Sequence, residues 1–114
     1  MLAEVISKPV YQILSELTQE SRIEIALSIA IKDWVRLKLK EAKQQRVSFE
    51  QQYGMDFLAF KRAWEKGIIP DATSYEVEQN YWEWEASVTD ENRLQKMLAS
   101  LSWHWRNLKI KLSL

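Results

Sequence analysis

The chain has 114 residues, 46% of them hydrophobic and 28% charged, a composition that suits one globular domain and excludes a disordered segment. Sixteen basic residues balance sixteen acidic ones, so no net charge draws the chain to nucleic acid, and without cysteine it has no disulfide, thiol nucleophile or thiolate metal site. Two Gly and two Pro are too few breakers for an all-β fold of tight turns, while six Trp point to heavy packing or to recognition.

Residues Ala3–Ile6 could form a short strand. Pro9 suits the first turn of a helix, with Ser7 placed to cap it, and Val10, Ile13, Leu14 and Leu17 make a one-sided stripe. Ser21-Arg22-Ile23-Glu24 reads as a capping box, which opens a helix running to about Arg46. Ile23, Leu27, Ala30, Trp34 and Leu37 alternate in steps of four and three along it. Ile25, Ala26, Ile29 and Ile31 widen the apolar surface almost all round. Such a helix is either the centre of the domain or the seam of a homodimer, which is the expected oligomer.

Three shorter units follow. Ser48-Phe49-Glu50-Gln51 is a second capping box, and Gly54 is a natural stop. Asp56 caps the next helix, with Met55 and Phe60 as its hydrophobic staple and Phe57, Phe60 and Trp64 as its inner stripe. Gly67 and Pro70 end it. Thr73 with Glu76 opens a helix whose inward face is Val77, Tyr81, Trp84 and Val88. Thr89 or Asp90 then caps a last helix, carrying Leu94, Met97, Leu98, Leu101, Trp105 and Leu108, and the alternating tail Leu108–Leu112 could extend as a strand. The pattern predicts a single all-α domain over residues 1–114, a compact bundle of about five helices with one long central apolar helix.

No membrane or targeting segment is expected. Met1–Ser7 lacks a basic stretch ahead of an apolar core, and Ile23–Val35 is interrupted by Glu24, Ser28, Lys32 and Asp33. A cytoplasmic protein is the expectation. Catalytic chemistry is not expected either: His104 is the only histidine, and no carboxylate lies three or four residues from it. Glu76 with Glu83 and Glu78 with Glu85 share helix faces, but no Glu-x-x-His pair completes a di-metal site. Neither a metal nor a cofactor is expected.

Charge is segregated. Residues 32–46 carry a net +4, and Arg36, Lys38, Lys40 and Lys43 are the candidates for nucleic-acid contact there. Residues 69–91 carry a net −7 with no basic residue, and a solvated face packed near the basic segments of the same fold would account for them. Within that acidic stretch Tyr75, Glu78, Trp82 and Glu85 are spaced to share one helix face, turned from the Val77/Tyr81/Trp84/Val88 stripe. Trp82 either fills a second internal contact or anchors a partner. Trp103 poses the same choice beside the last stripe.

Phe49-Glu50-Gln51-Gln52-Tyr53-Gly54-Met55-Asp56-Phe57, followed by Phe60 and Trp64, resembles the F-E-x-x-Y-G-M-x-F pattern of small prokaryotic antitoxins. Ser74–Ala86 is similar to the acidic, aromatic segment such proteins carry. The resemblance covers roughly residues 49–86. It implies a protein that binds and neutralises a small toxin in a protein–protein (type II) toxin–antitoxin pair, through a basic surface on that toxin. Antitoxins of this kind often dimerise and bind their operator through an N-terminal part. Here that part lacks the strand and two short helices of a ribbon-helix-helix unit. The alternatives are a homodimeric structural or regulatory helical protein and a DNA-binding module.

Overall fold

The computed structural model describes the backbone of residues 7–113 and the side chains of residues 7–103 and of Arg106. The described residues are all-helical: α1 spans Lys8–Thr18, α2 Ile23–Tyr53, α3 Phe57–Glu65 and α4 Tyr75–Ser113. The Ala3–Ile6 segment lies outside them. Among the described residues there are four helices rather than about five, and two of them are long.

The difference arises where an expected start has no break before it. Val47, Ser48 and Phe49 include neither Gly nor Pro, and α2 continues through them to Tyr53. Gly54, at φ 67°, takes the left-handed stop and donates its N–H to the Glu50 carbonyl at 2.8 Å. Likewise α4 passes through Thr89 and Asp90, and the tail to Ser113 is helix, not strand. Asp56 does cap α3, its carboxylate accepting from the Ala59 N–H at 2.8 Å. Gly67, at φ 71°, follows the end of that helix.

Two caps fall one residue from their expected places. Ser74, not Thr73, opens α4: its hydroxyl accepts from Val77 N–H and its carbonyl from Glu78 N–H. At the head of α2 the Arg22 carbonyl receives the Ala26 N–H, and the Arg22 N–H goes to Glu20 rather than into a Ser21/Glu24 box. Ser7 stands at the N-cap of α1 but makes no side-chain cap bond.

The described contacts group into two compact units. One holds the residues up to Leu37 with those from Lys96 onward; the other is Lys38–Gln95. The boundaries fall inside α2 and inside α4.

In the Lys38–Gln95 unit the two long helices run antiparallel. Phe49 meets Trp84, with ring centroids 5.6 Å apart, and the Asn80 amide donates to the Tyr53 hydroxyl at 2.8 Å. Arg46 pairs with Glu91. The inward positions repeat every seven residues, Ala42 and Phe49 on α2, Trp84 and Glu91 with Ser87 and Leu94 on α4. Around Trp84 and Phe60 gather Phe49, Ile69 and Tyr81, with Tyr53, Phe57 and Trp64 half-buried at the edge. Met55 packs against the same cluster, as the staple requires. Ring centroids of 4.6 Å for Tyr53–Phe60 and 4.9 Å for Phe60–Trp84 fall in the range where aromatic pairs attract beyond area alone.

The other unit buries little. Ile25, Ala26 and Val35 of α2 are its buried apolar side chains among the described residues. Ile31, Trp34 and Leu37 face solvent, so α2 is not apolar-and-buried all round, and Ile23, Leu27 and Ala30 are only half-buried. On α1, Val10, Ile13 and Leu17 are exposed and Leu14 is half-buried, so the one-sided stripe is largely an outer one.

Candidate interaction face

The face carrying Tyr75, Glu78, Trp82 and Glu85 lies on the first three turns of α4, in the Lys38–Gln95 unit. Ser74 fixes where the helix begins, and the Val77/Tyr81/Trp84/Val88 stripe fixes its rotation, because those four side chains pack in or against the aromatic cluster. At roughly 100° per residue, Tyr75 and Trp82 fall on the far side of the helix from that stripe and turn outward. Tyr75 is 81% exposed and Trp82 60%, whereas Trp84 is 0%. Glu78 is exposed and Glu85 half-buried.

Trp82 is nonetheless held. Its ring meets buried Tyr81 edge-on at 5.1 Å, which limits the rotamers it samples and lowers the entropy lost if a partner covers it. The surrounding charge is of one sign. Glu76 and Glu78 sit in the first turn, where carboxylates complement the helix N-terminus. Glu83 and Glu85 lie beyond that turn, and Glu83 only accepts from the Gln79 amide at 3.0 Å. None of these four carboxylates is in an ion pair among the described residues.

Ion pairing within the fold reaches only the end of the acidic stretch among the described residues. Asp90 pairs with Arg93 at 3.1 Å, and buried Glu91 takes Arg46. Arg46 also reaches Glu50 at 2.8 Å; Glu91 first, then Glu50, raises its pKa above the ordinary guanidinium value against the opposing effect of burial.

The basic candidates are divided between the units. Arg36, in the first, lies 4.0 Å from Asp33. In the second, Lys38 contacts Glu41 at 3.3 Å, while Lys40 and Lys43 are exposed. The stretch is thus diluted by acidic neighbours within one turn. Trp103 is exposed, and the side chains of His104, Trp105 and Leu108 lie outside the described residues. Among the described residues no three His, Asp or Glu side chains are grouped to hold a metal ion, and no helix is long and apolar enough to cross a membrane.

Two features escaped the sequence reading. The Arg46–Glu91 pair was hidden inside charge runs of opposite sign, although Glu91 falls seven residues after Trp84 among the inward positions of α4. The outward apolar set, Val10, Ile13, Leu17, Ile31, Trp34, Leu37, Met97 and Trp103, has the same hydrophobic spacing as a buried stripe and differs from one only in what covers it.

No family model, curated protein or solved structure matches the chain.

Proposed function

We propose that this chain is a non-enzymatic interaction protein of the antitoxin kind, which binds a small partner protein and occludes its active surface. The face formed by Tyr75, Glu78, Trp82 and Glu85 receives a basic surface of that partner. The observation carrying this reading is the contrast between neighbours on one helix: Trp84 is wholly buried while Trp82 and Tyr75 are open amid unpaired carboxylates. A small core gains nothing from an exposed Trp, whereas interfaces favour Trp and Tyr as anchors. The aromatics supply buried area and slow dissociation, and the glutamates steer encounter.

The test is co-expression. Each open reading frame adjacent to this gene is expressed alone and with this chain; toxicity of one of them alone and rescue together are expected, and rescue is lost in Trp82→Ala. Absence of toxicity, or rescue that does not require this protein, overturns the reading.

A second reading, self-association through α2, is favoured by a separate observation: Ile31, Trp34 and Leu37 form an apolar face open to solvent.

A further inference from the structure

We infer that the chain opens in two stages. The residues up to Leu37 and those from Lys96 onward come free together, as one cooperative piece. The Lys38–Gln95 unit, with Tyr75 and Trp82 on it, stays folded while they do.

The first ground is burial. A region opens most easily where few apolar side chains are covered. Phe49, Phe60, Ile69, Tyr81 and Trp84 form one buried cluster inside the Lys38–Gln95 unit. In the other unit α1 buries no side chain along its whole length, and residues 96–103 of α4 bury none. Ile25, Ala26 and Val35 are what the first half of α2 buries. Where α2 and α4 face one another in this unit they leave a gap instead of a packed seam. Ile31 and Val35 share an open groove of about 450 Å³ with Lys96, Met97, Ser100 and Leu101. Side chains lining such a gap lack contact atoms on one side.

The second ground is where the polar ties run. Arg46 to Glu91 and Asn80 to Tyr53 join α2 to α4 in the Lys38–Gln95 unit. In the other unit the Tyr11 hydroxyl donates to the Ser21 carbonyl, Thr18 donates to the Leu14 carbonyl, and Arg22 pairs with Glu20. These bonds shape α1 and its turn into α2 without fastening either to α4.

The third ground is helix length. α1 has 11 residues, short of the roughly 12–15 at which an isolated helix becomes even marginal in water. Once uncovered it has nothing of its own to hold it. Melting that runs inward along the long helices meets Ala42 on α2 and Leu94 on α4, the buried positions of the inner unit nearest its boundaries. The stop therefore falls inside each helix, and the Trp82 face lies on the side that persists.

Native-state hydrogen exchange of the full chain, read residue by residue by NMR at urea concentrations below the unfolding midpoint, tests this. Amides of α1, 23–37 and 96–103 should exchange roughly a hundredfold or more faster than those of Phe49, Phe60 and Trp84. Phe60→Leu weakens the inner cluster alone; it should speed exchange within 38–95 about tenfold and leave the outer amides at their native rates. Ile25→Val should speed the amides of α1, 23–37 and 96–103 by one shared factor of about two to twelve. Outer amides that also quicken in Phe60→Leu would show that the chain opens only as a whole, and overturn the inference. An effect of Ile25→Val confined to 23–37 would overturn it too, because the helix ends would then fray independently. So would outer amides with no protection in the native chain, which would leave no closed piece to release.

Discussion

Arg46 on α2 grips both carboxylate oxygens of Glu91 on α4, and its remaining nitrogen takes Glu50 one turn along its own helix. The pair sits between the two helices, with Trp84 seven residues before Glu91 on α4 and Phe49 three residues after Arg46 on α2. Breaking it from one side leaves a shielded charge without its partner. Arg46→Met or Glu91→Leu alone should therefore cost on the order of 2–3 kcal/mol in denaturant unfolding. The double substitution should recover most of that loss, because two apolar side chains fit an apolar seam. Additive losses in the cycle would show the pair to be uncoupled.

Among the described residues Trp84 is the largest fully buried side chain, and its indole N–H has no hydrogen-bond partner among them. Two effects of opposite sign follow. Trp84→Ala opens a cavity and should cost roughly 3–5 kcal/mol. Trp84→Phe also removes the orphaned donor, whose burial costs about 1–3 kcal/mol, and should lose less than half as much. Equal losses in chemical denaturation would contradict this account of the site, because Phe leaves the smaller cavity and removes the same orphaned donor as Ala.

Ser48 distinguishes a continuous α2 from two helices meeting there. As an N-cap, its replacement by Ala would cost about 1 kcal/mol. In the middle of an exposed helical turn the same change should stabilise by a few tenths of a kcal/mol, since Ala is the better helix former. The second sign is expected, read from the midpoint of urea unfolding.

Those positions also show what could be read in advance. Asp56, Gly54 and Gly67 act as expected, because capping and left-handed stops are local chemistry that tertiary packing seldom overrides. Ser48 and Thr89 misled for the same reason: a serine or threonine before a glutamate has the pattern of a cap, yet nothing in it requires the preceding turn to stop. The outward placement of Tyr75 and Trp82 followed from the stripe that Tyr81 and Trp84 bury. Which side of α1 would be covered did not follow. Val10, Ile13 and Leu17 satisfy the helical period equally well inward or outward.

At the start of α2 the Arg22 side chain, and then its backbone amide, hold the Glu20 carboxyl down from 4.5 to about 2. The folded value lies below the unfolded one, so the contribution is whole above pH 4.5 and disappears as the pH falls toward 2. Glu20→Gln should flatten the acid limb of the stability–pH curve within that window and leave the neutral-to-alkaline slope unchanged. The change will be small, because Arg22 is exposed and Glu20 only half-buried, so water screens the pair. Superimposable acid limbs would remove this role from Glu20.

On the proposed function, Trp82 faces a partner while Trp84, two residues on, holds the core. The most direct measurement is the thermal midpoint of Trp82→Ala alongside its rescue of cells expressing a toxic open reading frame adjacent to this gene. A midpoint within a few degrees of the native protein, with rescue abolished and binding weakened by about 2 kcal/mol or more, is the predicted result. A variant that unfolds like Trp84→Ala, or one that rescues as well as the native chain, would contradict it.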